Sequence, residues 1–169
     1  MIGSIAVLAA VTLERLAELA LAARNTGRLK VRGAIEHSPG HYPFMVALHV
    51  AWLAGLWWLA WDRPLHWGWL AVFGLLQILR VWVLVTLKGR WTTRIITLPG
   101  ETLIRRGPYR LMRHPNYLVV VCEIAVLPLA FSLPQFAAVF TLANVILIAI
   151  RVRAEEAALD RASGAAARR

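Results

Sequence analysis

The sequence predicts an all-α integral membrane protein with about five transmembrane helices, and three observations predict it. Hydrophobic residues make up 59% of the 169 positions, more than a soluble domain of this length carries. Apolar stretches of spanning length recur along the chain. Basic residues fall at alternate ends of those stretches. Arg24, Arg28, Lys30 and Arg32 follow the first. Lys88, Arg90, Arg94, Arg105, Arg106, Arg110 and Arg113 follow the third. Arg151, Arg153, Arg161, Arg168 and Arg169 follow the fifth. The remaining connections hold only Asp62 and Arg63, or nothing ionisable at all in Ser132-Leu133-Pro134. This positive-inside bias puts the N-terminus outside and the C-terminus in the cytoplasm.

The chain reads as a single domain, residues 1–169. The first span is expected over about 2–23, a retained helix and not a cleaved leader, because no basic region precedes its apolar run. The second and third spans are expected over 43–61 and 67–87. Trp57, Trp58, Trp61, Trp67 and Trp69 cluster where these two meet, as an interfacial belt does. A cytoplasmic loop, 88–115, separates them from two short spans, 116–131 and 135–150. Their three-residue connection forces an antiparallel hairpin. A cytoplasmic helix is expected over 151–162, with the Ala/Arg-rich end, Ala162 to Arg169, frayed.

The formal charge of +10 does not indicate nucleic acid, because it sits at span ends and not along one amphipathic face. Membrane lipids and an anionic ligand are the expected partners, and no obligate protein partner is implied. Cys122 is the single cysteine, so no intrachain disulfide forms. No metal site is expected.

Ionisable groups inside spans are expensive in lipid and face the bundle interior. Glu18, Arg80, Glu123 and Asn144 each lie six or seven residues from the cytoplasmic end of their spans, hence roughly 9–10 Å below one membrane face. Four spans presenting polar groups at one depth imply a polar chamber. Glu14 and Glu18 share a helix face, with Arg80 as counter-ion. These groups either hold helices together or position a substrate and take up its proton. Glu18, Arg80 and Glu123 are the catalytic candidates.

Within the 88–115 loop, Pro99-Gly100 and Gly107-Pro108 are turn signals, and Thr92 to Thr97 suits a short extended segment. Arg113-His114-Pro115-Asn116-Tyr117 follows. Pro115 suits a first helical turn. The helix N-terminus with Arg110 and Arg113 favours an anion, and His114 and Tyr117 add hydrogen-bonding tips. A lone His-Pro at a membrane surface is otherwise a capping turn. Beyond the last span, Arg151, Glu155 and Glu156 continue the helix, with Arg151 and Glu155 one turn apart.

Gly107-Pro108-Tyr109-Arg110, Arg113-His114-Pro115-Asn116-Tyr117, the hairpin, and Arg151 with Glu155-Glu156 resemble the isoprenylcysteine carboxyl methyltransferase and phospholipid methyltransferase superfamily. The stretch Arg90 to Gly100 resembles its small bacterial branch, which includes alkylpyrone O-methyltransferases. The resemblance implies a membrane enzyme using S-adenosyl-L-methionine, with a lipophilic small-molecule acceptor entering from the bilayer. Carried over by position, it makes His114, Tyr117, Glu155 and Glu156 cofactor-binding, supported by Arg151 and flanked by Arg113 and Asn116. The short tail after Glu156 departs from the prenylcysteine enzymes. The favoured reading is O-methylation, of a carboxylate, enol or hydroxyl, on the cytoplasmic side of a bacterial inner membrane. Prenylcysteine carboxyl methylation and phospholipid N-methylation are its alternatives. A sterol-reductase-like nicotinamide enzyme and a non-enzymatic membrane subunit are more distant ones.

Overall fold

The computed structural model describes residues 1–99 and 104–166, the side chains of 160–166 excepted. Its elements run α1 (Ile2–Val31), β1 (Ile35–His37), α2 (Tyr42–Ala60), α3 (Trp67–Leu87), β2 (Ile95–Thr97), α4 (Pro115–Ala130) and α5 (Pro134–Ala166). Short 3-10 turns at Pro39–His41, Lys88–Arg90 and Gly107–Arg110 join them. Apart from the two short strands, the framework is helical.

Helix ends follow local chemistry more than membrane thickness. The first span is expected to end near residue 23, yet α1 continues to Val31. Gly27 does not interrupt it, and the stop comes at Gly33, which takes φ 83°. There Gly33 N–H donates to Lys30 O and Ala34 N–H to Leu29 O, the paired bonds of a Schellman cap. The α4–α5 hairpin closes the same way. Ser132 adopts φ 59°, Ser132 N–H donates to Leu129 O, and Leu133 N–H donates to Pro128 O. Pro134 then opens α5, which carries without interruption past residue 150 to Ala166. The cytoplasmic extension is therefore part of the same helix as the last span. Of the tail expected to fray, residues 167–169 lie outside the described residues, as does the turn residue Gly100 with 101–103.

Three helical segments are long and apolar enough to cross a membrane: Pro39–Ala60, Trp67–Arg90 and Pro134–Leu159. Helix α4 is apolar but has 16 residues. Helix α1 has 30 and carries Glu14, Arg15 and Glu18 within it. Leu13, Trp58, Leu75, Ile78 and Val85 point outward and are exposed. A helical framework with apolar outer faces and buried ionic residues is that of an integral membrane protein.

The helix ends sort into two faces. At one, Ser4 Oγ–H donates to Arg63 O, and His66 N–H donates to Ala130 O at 2.8 Å. At the other, Asn25 Nδ2–H donates to Trp91 O at 2.8 Å and to Lys88 O at 3.3 Å. Between them the main core joins Leu8 and Val11 of α1, Trp52 and Leu56 of α2, Phe73 of α3, and Ile124 and Leu127 of α4. Apolar burial drives little association in lipid, so close approach matters. Gly55 allows it: a Cβ there would lie 2.6 Å from the Phe136 ring.

The strand β2 falls in the extended run expected at Thr92 to Thr97. Its partner β1, three residues long, carries no readable period. They pair antiparallel with Ile35 opposite Thr97 and His37 opposite Ile95. Glu36 locks the ribbon, accepting from Lys30 Nζ at 2.8 Å and from Arg94. The Arg94 guanidinium also lies 4.3 Å above the Tyr42 ring. Hydrogen bonds from Lys30 and Arg94 hold the Glu36 carboxyl below its ordinary value of 4.5. A depressed carboxyl contributes stability above its unfolded value and loses it as pH falls through the folded one. The melting temperature measured on either side of pH 4.5 should therefore fall more in the parent than in Glu36→Gln. Equal falls would remove Glu36 from acid sensitivity.

Candidate active site

Helices α4 and α5 form the site, and the hairpin sets their register. Pro115 fixes the first turn of α4. His114 stands at its N-cap position, but its side chain makes no capping hydrogen bond. The ring turns instead toward α5, with Nε2 3.6 Å from Glu156 Oε1 and Nδ1 4.0 Å from Glu155 Oε2. Nε2 is buried and has no hydrogen-bond partner among the described residues. Such a nitrogen is costly unless something else completes it.

Tyr117, one turn along α4, stacks on His114 with ring centroids 5.3 Å apart and planes at 21°. Its hydroxyl donates to Glu155 Oε2 and accepts from Arg151 Nε at 2.8 Å. One phenol thus links the cation and the carboxylate that the α5 sequence places one turn apart. Arg151 is buried and its guanidinium also lies 5.5 Å from the Tyr117 ring centroid. Glu155 is about one-third exposed and Glu156 nearly half. The cluster therefore opens on its carboxylate side.

His114, Tyr117, Arg151, Glu155 and Glu156 are brought together. Asn116 stands beside them, within 3.5 Å of the Trp91 indole N–H. Arg113 is exposed and has no hydrogen bond or ion pair among the described residues. Sequence reasoning missed Met45 of α2, whose sulfur lies 3.3 Å from Arg151 Nη1; no local signal in the sequence marks it. Tyr109 also lies in this neighbourhood. Burial, and secondarily the Glu155 charge, push its hydroxyl well above the usual tyrosine range, so it stays a neutral donor.

Glu18, Arg80 and Glu123 form a separate assembly, not in hydrogen-bond contact with the His114 cluster. Arg80 grips Glu123 through Nε–H to Oε1 at 2.8 Å and a second bond from Nη2 to Oε2. Its Nη1 donates to Glu18 Oε1 at 3.1 Å. Arg15 supplies a second cation, 2.9 Å from Glu18, 3.0 Å from Glu14 and 3.5 Å from Glu123. Thus Arg80 pairs with Glu18 as the sequence suggests, while Glu14 turns to Arg15. Asn144 is wholly buried, yet neither polar atom of its side chain has a hydrogen-bond partner among the described residues.

The model of the isoprenylcysteine carboxyl methyltransferase family matches residues 69–161, a span that contains α4, the hairpin and every member of the His114 cluster. The chain belongs to this family. Two relatives agree in extent. Uncharacterized protein YpbQ of Bacillus subtilis (strain 168) is 36% identical over 166 residues, spanning 90% of this chain and 94% of its own length. An uncharacterized protein of Haemophilus influenzae (strain ATCC 51907 / DSM 11121 / KW20 / Rd) is 25% identical over 152 residues, spanning 86% of this chain and 88% of its own. No solved structure matches. Members of the family are membrane methyltransferases, so the chain is a membrane protein of methyltransferase type.

Proposed function

We propose that the chain is an S-adenosyl-L-methionine-dependent methyltransferase acting on an oxygen of a lipophilic small molecule. The observation that carries this reading is the convergence of His114 on Glu155 and Glu156. Segments separated by the whole hairpin bring the buried unpaired Nε2 of His114 to 3.6 Å from Glu156 and its Nδ1 to 4.0 Å from Glu155. These groups fit the methyl donor. Carboxylates accept from ribose hydroxyls or an ammonium group, and His114 Nε2 has hydrogen-bonding capacity that the protein does not use.

When bound, S-adenosyl-L-methionine supplies a sulfonium-activated methyl group open to in-line displacement by an acceptor oxygen. The chain's own residues do the rest by positioning. The Arg151–Tyr117–Glu155 link fixes the Glu155 carboxylate. Stacking on Tyr117 fixes the His114 ring plane. The apolar outer faces of α4 and α5 admit a greasy acceptor and exclude water. With an acceptor that is already an enolate or carboxylate, no strong base is required. With a neutral hydroxyl, Glu18 or Glu123 would serve as the base, each held in place by Arg80.

Five alternating crossings, with the N-terminus outside and the site facing the cytoplasm of a bacterial inner membrane, complete the reading. The sorting of helix ends into two faces supports it, as does the basic character of the face holding Lys88 and Asn25. Calorimetry in detergent should show binding of S-adenosyl-L-homocysteine and none of NADPH. Incubating lipid extract with labelled methyl donor should add one methyl mass to a lipophilic product. A folded protein that binds neither ligand would sink the proposal.

A further inference from the structure

Beyond the His114 cluster, a concavity lies between the C-terminal end of α1 and the connection that leaves α3, with a volume of about 1180 Å³. It shares no lining residue with that cluster. Arg24, Arg28, Lys88, Arg105 and Arg106 line it, and no acidic side chain among the described residues does. These five make no ion pair among the described residues, and all are exposed. Like charges gathered in one concavity raise its potential and repel one another unless an anion is present. Leu87 and Ile104 add apolar walls. Val31 of α1 lines it as well and is exposed.

We infer that this groove binds the phosphate headgroup of an anionic membrane phospholipid. Three features select a lipid over a soluble phosphate. The groove exceeds the roughly 300–1,000 Å³ of ordinary ligand sites, leaving room for a glycerol and the start of acyl chains. Its cations lie at the ends of apolar helices, where headgroups lie. The α1 face brings Arg24 and Arg28 into one concavity with apolar Leu87 and Ile104. Spacing builds that face: Arg24, Gly27, Arg28 and Val31 recur at i, i+3, i+4 and i+7. Gly27 leaves the floor open, since a Cβ there would meet nothing within 4 Å. Asn25 holds the two walls in register through its bonds to Lys88 O and Trp91 O.

Native mass spectrometry of the full chain in detergent tests this with three probes: phosphatidylglycerol, phosphatidylcholine and glycerol phosphate. Phosphatidylglycerol should be retained over phosphatidylcholine, and glycerol phosphate should not compete at equal concentration. The double variant Arg24→Ala/Arg28→Ala should lower phosphatidylglycerol affinity about tenfold or more. Gly27→Trp fills the floor, leaves every charge in place and should lower it comparably. Both variants should bind S-adenosyl-L-homocysteine as the parent does, which separates this site from the methyl-donor reading. Equal retention of the two lipids, effective competition by glycerol phosphate, or unchanged affinity in both variants would overturn the inference.

Discussion

Replacing Arg80 with alanine should destabilise the bundle by roughly 3–5 kcal/mol, the usual result of removing one partner from a buried ion pair. Arg80 is 2% exposed and Glu123 is 3% exposed. The guanidinium satisfies both oxygens of Glu123 and one of Glu18 from a single planar fork. Without it, Arg15 alone must serve three carboxylates, and its contact with Glu123 is 3.5 Å. The lost energy is mostly the cost of stranding Glu123 in an apolar interior. Arg80→Lys restores charge but not the two-pronged geometry, so it should recover only part of the loss. Arg80→Met combined with Glu123→Met removes both charges and should be less harmful than Arg80→Ala alone. Melting temperatures in detergent read all three variants. An unaltered melting temperature together with unaltered activity in Arg80→Ala would dismiss the network as an organising element.

The sequence made the coarse architecture legible because two strong physical costs write themselves into composition. Apolar length and the placement of Arg and Lys mark helices and their ends, and α2 and α3 lie close to where those signals put them. Helix ends set by hydrogen bonding were less visible. Gly33 stops α1 eight residues beyond the expected limit, because a helix leaving the bilayer has no reason to end at its surface. β1 was hidden for another reason. Its stability comes from Glu36 meeting Lys30 and Arg94 across the chain, not from the three residues themselves. Depth counting placed Glu18, Arg80 and Glu123 at one level, and they do meet. Depth says nothing about angle around a helix, so it gave no sign that Asn144 would lack a hydrogen-bond partner among the described residues. The approach of His114 to Glu155 and Glu156 came from resemblance. No period or spacing in a single sequence links residues 114 and 156.

His114→Ala should weaken S-adenosyl-L-homocysteine binding by about 10- to 100-fold, because a hydrogen bond involving a charged group contributes roughly 1.5–3 kcal/mol. Stability should change little. His114 does not cap α4, and its approach to Glu156, at 3.6 Å, is too long for a strong hydrogen bond. That separates it from Tyr117, whose hydroxyl joins Arg151 to Glu155. Tyr117→Phe strands a buried guanidinium and should therefore lower both ligand affinity and melting temperature. Glu156→Gln keeps shape and removes charge. If Glu156 accepts from a hydroxyl, the amide retains most of the affinity; if it pairs with an ammonium, affinity falls by about tenfold or more. Calorimetry beside thermal melting distinguishes these cases within one set of variants. A His114→Ala protein that melts as the parent does and binds S-adenosyl-L-homocysteine with unchanged affinity would remove the histidine from the site. With it would go the reason for reading the α4 and α5 ends as a methyl-donor pocket.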